Sequence, residues 1–396
     1  MNNLIINKNI GSVNSRIIAT LFILLFTLLI SSISLVDAAD IEITNETEGG
    51  IKQAISNATE NDVILLEEGV YSGVNNTNIT KTGIKQGITI SGKNKNVTIY
   101  LNGSWFINVS GTGSGSYTVV TRLTLINLTI IGGDNLTAVR THQITAINCT
   151  FINNSGGSGG AIYAVGGDND GGISHSITNC TFINNSGDSG GAIYLGWGAY
   201  TGSMTVNIVN STFINNSAVN GSAIYGHRGW GAGATITITN SLFSNNTARN
   251  NGCIYFPYSN MNLVINGNSN FSGNNASYGG VIYSNSGVTV SNGNFSGNNA
   301  SYGGVIYSNS AVTISNVHFF ASNAIYGGVI FNNISTVTIS NGNFSGNNAS
   351  YGVVIYSNSV VTVSNGNFSG NNAIYGGVIF NNVSTVTVSN GNFSGN

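Results

Sequence analysis

A repeating unit dominates this chain, and one clear copy is residues 292–307, which read NGNFSGNNASYGGVIY. The distance between successive anchor phenylalanines falls from 31 residues to 24 or 25 along the chain. Self-similarity at such a period is typical of solenoids, whose stacked units contact only their neighbours. The anchors are Phe151, Phe182, Phe213, Phe243, Phe271, Phe295, Phe319, Phe344, Phe368 and Phe393.

Each unit holds three short alternating segments, which in one copy are residues 281–283, 288–290 and the neighbourhood of Phe295. Three strands and three bends per unit make one coil of a parallel β-helix, because each strand pairs with its counterpart one period away. The sequence therefore predicts an all-β, right-handed parallel β-helix with three strands per coil. Residues 48–58 carry apolar side chains at helical spacing, and we expect a short helix there to cap the first coil.

Stacking of coils places each residue type above its counterpart, which predicts three columns. Phenylalanine and isoleucine columns should fill the core, because inward positions of a thin solenoid must be apolar and nearly constant in volume. The isoleucines are Ile162, Ile193, Ile224, Ile254, Ile282, Ile306, Ile330, Ile355 and Ile379. An asparagine column, three residues before each phenylalanine, should form a buried hydrogen-bonded ladder. Its members are Asn148, Asn179, Asn210, Asn240, Asn268, Asn292, Asn316, Asn341, Asn365 and Asn390.

The chain divides into five segments by composition. Residues 1–38 resemble a secretory signal peptide, with cleavage expected between Ala38 and Ala39; an uncleaved anchor is the alternative. Residues 39–87 are predicted to cap the β-helix, and 88–145 to form irregular first coils. Residues 146–255 have the longer period and Gly-rich inserts, which in repeat arrays map to loops on one face. Residues 256–396 are regular coils that end within a repeat, so we expect either a longer protein or a partner over the last coil.

Charge is sparse, at 6% of residues, and neither Lys, Arg, Asp nor Glu occurs after Arg249. Nucleic-acid binding is not expected, because it requires a basic stripe. Asp168 and Asp170 resemble the start of a calcium loop but lack its terminal acidic ligand, so we interpret them as a solvated loop. We predict no catalytic residue, cofactor or metal. The alternative is a polysaccharide lyase or hydrolase that uses Asp168, Asp170 or Asp188. Basic residues near them in the repeat are Arg140, His142, His175, His227, Arg228 and Arg249.

Cys149 and Cys180 occupy the same repeat position, two residues before the anchor phenylalanine. In adjacent coils they would lie about 4.8 Å apart, which leaves two small core residues or a coil-to-coil disulfide as open interpretations.

Aromatic residues follow the inward isoleucines, and we expect their side chains to point outward. They are either a binding face or a stack that stiffens the sheet. The candidates are Tyr163, Tyr194, Tyr225, Tyr255, Tyr283, Tyr307, Tyr356, Phe331 and Phe380, together with Trp197 and Trp230 in the inserts. Trp105 lies earlier, and we expect it in the core.

The motif Phe-x-x-Asn-x-Ala followed by Gly-Gly-x-Ile, as in 271–282, resembles the repeats of chlamydial polymorphic outer membrane proteins. With its leader, cap and Asn-rich coils, the whole chain resembles the adhesin-like surface proteins of methanogenic archaea. The resemblance implies an exported cell-surface protein that binds glycans or surface proteins of neighbouring cells. Many N-glycosylation sequons, such as those at Asn275 and Asn299, agree with a glycosylated surface protein. Contact with a membrane is expected only through the leader or an anchor, and a passive rod of the envelope remains a further alternative.

Overall fold

The computed structural model describes residues 40–59, 61–82, 87–110, 121–166, 172–197, 203–228 and 233–396. These residues form a parallel β-solenoid of about twelve coils, almost entirely β, consistent with the predicted right-handed β-helix. Three long sheets run along it, and every described strand pair in them is parallel. The fold class predicted from the repeat is confirmed.

The three sheets take one strand each from successive coils. Sheet A contains Asp40–Ile43, Val63–Leu66, Ile88–Gly92, Arg122–Ile126, Gln143–Ile147, Ile173–Thr178, Met204–Val209, Ala234–Thr239, Met261–Asn266, Val288–Ser291, Val312–Ser315, Val337–Ser340, Val361–Ser364 and Val386–Ser389. Sheet B contains Gly69–Ser72, Val97–Tyr100, Leu128–Ile131, Thr150–Ile152, Thr181–Ile183, Thr212–Ile214, Leu242–Ser244, Asn270–Ser272, Asn294–Ser296, His318–Phe320, Asn343–Ser345, Asn367–Ser369 and Asn392–Ser394. Sheet C contains Ile79–Thr82, Ile107–Ser110, Val139–Thr141, Ile162–Gly166, Ile193–Trp197, Ile224–Arg228, Ile254–Phe256, Ile282–Ser284, Ile306–Ser308, Ile330–Asn332, Ile355–Ser357 and Ile379–Asn381.

Some coils add a fourth short strand between sheets B and C, which the repeat did not predict. These strands form two small parallel sheets. The first contains Ser155–Ser158, Ser186–Ser189, Ser217–Asn220 and Thr247–Asn251, and the second contains Asn323–Tyr326, Asn348–Tyr351 and Asn372–Tyr375.

The helix Gly50–Asn57 lies at the end where the first coil begins. It buries Ile51, Ala54 and Ile55 and packs against Asp40–Ile43, Val63–Leu66 and Ile79–Thr82, strands that belong to sheets A and C. The predicted capping helix is therefore present. The segment 39–87 is more than a cap, however, because it already supplies strands to all three sheets.

The predicted phenylalanine and isoleucine columns form the core. Phe151 to Phe368 are fully buried, and neighbouring rings stack nearly in parallel, as for Phe182 and Phe213 at 4.7 Å between centroids. Isoleucines pair in register from Ile162 to Ile379, as Ile282 does with Ile306. Apolar side chains of equal volume therefore lie directly above one another, which packs the core densely.

The asparagine column that was predicted to be buried lies on the outside of the coils instead. Asn179, Asn210, Asn292 and Asn316 are exposed and adopt φ values of 50° to 55°. They occupy the bend between sheets A and B, where a left-handed conformation is required and asparagine tolerates it well. Their amides do form ladders in places, as where Asn179 Nδ2 donates to Asn148 Oδ1 at 3.3 Å, but on the surface.

The buried ladder lies three residues after each phenylalanine instead. Asn185 Nδ2 donates to the Phe151 carbonyl at 3.1 Å and to Asn216 Oδ1 at 3.0 Å. Its Oδ1 accepts from the backbone N–H and the Nδ2 of Asn154, both at 3.1 Å. All the hydrogen-bonding capacity of a buried amide is thereby used. The buried members are Asn154, Asn185, Asn216, Asn246, Asn274, Asn298, Asn347 and Asn371, with Ser322 at the equivalent position in one coil. Asn396, which is exposed, ends the column.

The cysteines are buried free thiols in the described structure. The backbone N–H of Cys149 donates to Sγ of Cys180 at 3.4 Å, and Cys180 in turn donates its N–H to Ser211 Oγ at 3.2 Å. Burial raises the pKa of the Cys149 thiol. Both cysteines thus serve as small core residues in a column that serine continues, and no disulfide joins them here.

Candidate binding face

The aromatic column runs along the outer surface of sheet C. Each aromatic residue sits between two inward side chains, so Tyr283 is half-buried while Ile282 and Ser284 are buried. Register pairing connects Tyr163 through Tyr194, Tyr225, Tyr255, Tyr283, Tyr307, Phe331 and Tyr356 to Phe380. The outward orientation expected from the sequence is observed.

The rings of this column cover one another's faces. Tyr283 and Tyr307 lie 4.8 Å apart between centroids with an interplanar angle of 11°, and Tyr307 and Phe331 lie 5.1 Å apart at 6°. Tyr255 interrupts the stack, since it meets both its neighbours edge-on at about 60°. The ring edges are therefore left for contact, whereas the ring faces are largely occupied by the stack.

Burial strengthens the ordinary preference of several of these phenols for the neutral form. It raises the pKa of Tyr283 and Tyr307, and it raises the pKa of Tyr255 to about 12. The column is therefore neutral at physiological pH and presents hydroxyl groups that can both donate and accept hydrogen bonds.

A second tyrosine column lies beside the first and was not singled out from the sequence. Tyr278, Tyr302, Tyr326, Tyr351 and Tyr375 stack at 4.8 to 5.1 Å between centroids. They contact the first column edge-to-face, as where Tyr278 meets Tyr307 at 5.5 Å and 83°. The available signal was a tyrosine directly before the first glycine of the bend, which recurs with the period of the repeat.

A cleft of about 530 Å³ lies at the end of the first column nearest the chain's beginning. Arg140 occupies the register position before Tyr163, and its Cζ lies 4.5 Å from the centre of the Tyr163 ring. Trp105, Leu136 and Val165 supply apolar walls. Trp105 is partly exposed there, so the expectation that it belongs to the core is wrong.

The described polar residues of the cleft are basic or neutral. Asn108, Thr137 and His142 join Arg140, and none of the described lining residues is acidic. His142 Nδ1 accepts from the Thr121 backbone N–H at 3.4 Å, which assigns the ring proton to Nε2 when the imidazole is neutral. Among the residues described, the ion pairs join Lys93 to Glu42 and to Glu67, and Arg140 is in neither.

Of the other predicted site residues, those that the structure describes do not lie together. Asp168, Asp170 and Trp230 lie outside the described residues, as do Ala38 and Ala39, and Trp197 is the last residue of a sheet C strand. Asp188 is exposed on the short sheet between sheets B and C and does not line the cleft.

Within the described ranges, no group of three or more His, Cys, Asp and Glu side chains is placed to hold a metal ion. The same ranges contain no helix of the length and apolarity needed to cross a membrane.

The fold defines the chain as a parallel β-solenoid, but comparison with protein-family models and with curated proteins found no match to it.

Proposed function

We propose that this chain is an exported, non-enzymatic cell-surface protein of the adhesin type, which binds carbohydrate along the outer surface of sheet C. The observation that carries the proposal is the pair of tyrosine columns in register over the later coils. Aromatic surface is concentrated on this face, whereas the exposed positions of sheet A in the same coils are threonines such as Thr289 and Thr313.

Carbohydrate suits the chemistry of this face better than a charged partner does. From residue 250 onward the surface carries no Lys, Arg, Asp or Glu, so long-range electrostatic attraction has no source there. Neutral phenols spaced about 5 Å apart offer repeated hydrogen bonds to hydroxyl groups, and the ring edges offer apolar contact. Because the faces are covered, we expect recognition through hydroxyls and edges rather than through a sugar lying flat on each ring.

Binding assays on the mature chain test this proposal. We expect replacement of Tyr302 and Tyr326 by alanine to weaken binding to glycan arrays and to intact cells at least tenfold. The matched control replaces Thr289 and Thr313, which are exposed on sheet A in the same two coils. Both variants must retain the wild-type circular dichroism spectrum. Equal binding by the tyrosine variant and the wild type would refute the aromatic face as the ligand surface.

The residues Tyr283 and Tyr307 provide a second test within the first column. Their replacement by alanine should also weaken binding, with some loss of stability because each stacked pair contributes about 0.5–1.5 kcal/mol. Export is tested separately, by digesting whole cells with protease and probing for the chain.

A further inference from the structure

The cleft at Arg140 holds a cation that has no acidic partner among the described residues. Arg140 is half-buried, and its guanidinium is held over the ring of Tyr163, 4.5 Å from Cζ to the ring centre. None of the described residues that line the cleft is Asp or Glu, and the described ion pairs lie elsewhere, at Lys93. A partly desolvated arginine of this kind gains most from an anionic partner, because its planar group pairs with carboxylates through two parallel hydrogen bonds.

We propose that this cleft binds a sugar ring that carries a carboxylate, with Arg140 as the partner of the carboxylate. Resting the guanidinium on the Tyr163 ring holds it in place, while the N–H groups at its rim stay available. Trp105 and Leu136 add apolar wall against which the C–H surface of a sugar ring can pack. The volume of about 530 Å³ falls within the usual range for small-molecule sites.

Two further donors in the lining suit the hydroxyl groups of the same ring. His142 lines the cleft, and its Nδ1 already accepts from Thr121, so Nε2–H is the nitrogen left to donate. Asn108 lies one coil before Arg140 in the same register column and offers an amide. Donors exceed acceptors in this arrangement, which favours an acidic sugar over a neutral one.

The position of the cleft connects this inference with the proposed function, on which it rests. Tyr163 belongs both to the cleft and to the first aromatic column. A saccharide lying along sheet C could therefore place one acidic residue in the cleft and its neutral residues over the tyrosines. The inference deepens the proposal by naming the class of ligand at one end of the face.

A matched ligand pair tests the charge requirement. Calorimetric titration of the mature chain with a hexuronic acid oligosaccharide and with its fully methyl-esterified form compares two ligands that differ only in charge. We expect the acid form to bind at least tenfold more tightly than the ester. Arg140→Gln should abolish that preference, and raising the salt concentration should reduce it in the wild type.

Controls keep the outcome specific to the cleft. Arg122→Gln removes an exposed positive charge from sheet A nearby in the chain and should leave the preference unchanged. Thermal melts of Arg140→Gln and Arg122→Gln check that both variants fold like the wild type.

Equal affinity for acid and ester, or an unchanged preference in Arg140→Gln, would overturn the inference, as would equally tight binding of inorganic phosphate. If the chain binds cells through Tyr302 and Tyr326 but neither form of the oligosaccharide, the cleft inference fails while the proposed function stands. If every tyrosine variant still binds cells but the chain prefers the acid form, the tyrosine face of the proposed function fails while the cleft inference stands.

Discussion

His175 is a titratable side chain placed entirely within the hydrophobic core. Its register partners in the next two coils are Val206 and Ile236, so an imidazole occupies a position that aliphatic residues fill elsewhere. Its Nδ1 accepts from the Ile144 N–H at 3.4 Å, while its Nε2 is buried and has no hydrogen-bond partner in the described structure. Burial lowers the pKa of this histidine from 6.5 to about 4, because the charged form would be cut off from water.

This depressed pKa predicts a loss of stability in mild acid. Above pH 6.5 the histidine is neutral in both the folded and the unfolded chain, and it costs nothing further. As the pH falls from 6.5 towards 4, the unfolded chain takes up the proton first, so the free energy of unfolding should decrease by roughly 3 kcal/mol in total. Urea denaturation at pH 7.5 and pH 4.5 measures the change.

Substitution separates this histidine from the carboxylates that titrate in the same range. His175→Val restores the aliphatic column and should remove most of the pH dependence, whereas Ser174→Val, at an exposed neighbour on the same strand, should retain it. An equal pH dependence in the wild type and in His175→Val would show that other groups control acid stability.

The bends between strands depend on single residues in the left-handed conformation, and they differ in how much space surrounds them. Gly303 has a φ of 63°, and a Cβ atom there would lie 2.0 Å from the Ile306 carbonyl oxygen. Gly297, in the same coil, has a φ of 60°, but nothing lies within 4 Å of its Cβ position. Ala321 occupies the position equivalent to Gly297 in the next coil, with a φ of 53°. A side chain is therefore tolerated at one bend and sterically excluded at the other.

The two glycines consequently form a matched pair for mutation. Gly297→Ala should lower the free energy of unfolding by about 1–2 kcal/mol, the usual cost of a left-handed conformation for a residue with a Cβ atom. Gly303→Ala should lower it by about 2 kcal/mol more, because the strand carrying Ile306 must also shift. Chemical denaturation of both variants gives the comparison. Equal losses would mean that the bend before sheet C yields more readily than its close contacts indicate.

These bends also explain which part of the asparagine pattern could be predicted from the sequence. Asn292 and Asn298 lie three residues before and after Phe295, and both recur with the same period. Periodicity alone does not show which of the two asparagines is buried. The left-handed residue at Gly297 reverses the backbone just before Asn298, so Asn298 points inward, whereas Asn292 is itself the left-handed residue and stays outside. The distinction depends on backbone dihedral angles, which the repeat pattern does not encode.

The binding face was predictable to a similar degree. Alternation along sheet C predicts outward tyrosines such as Tyr283, because the neighbouring Ile282 is inward. Alternation does not determine whether neighbouring rings cover each other's faces, because that depends on the side-chain rotamers of the tyrosines. The cleft was missed because Trp105, Leu136 and Arg140 lie in the irregular early coils, where no repeat relates them. Only folding of three successive sheet C strands brings these residues together.

At the scale of the whole molecule, the solenoid has one continuous core, but coils that are far apart along it do not contact each other. Each coil contacts the coils before and after it, so stability should be close to a sum of coil terms and interfaces between neighbours. Ser284 and Ser308 are register partners, as are Tyr283 and Tyr307. Removal of residues 284–307 would therefore join Tyr283 to Ser308 and delete one full coil of 24 residues without changing the chemistry of any junction.

We expect this deletion variant to fold, with the β spectrum of the parent and a melting temperature within a few degrees of it, because one coil and one interface are lost together. After the deletion, Phe271 should stack on Phe319 and Ile282 on Ile330, as each now stacks on an identical residue in the next coil. Removal of residues 284–295 instead takes out half a coil, so that at a 24-residue period Phe271 of sheet B would lie opposite Tyr307 of sheet C. That variant should fail to fold, since inward and outward positions would no longer coincide. If both variants failed to fold, the coils would not be interchangeable units. Stability would then have to be concentrated in particular coils, and the capped early coils would be the first to examine.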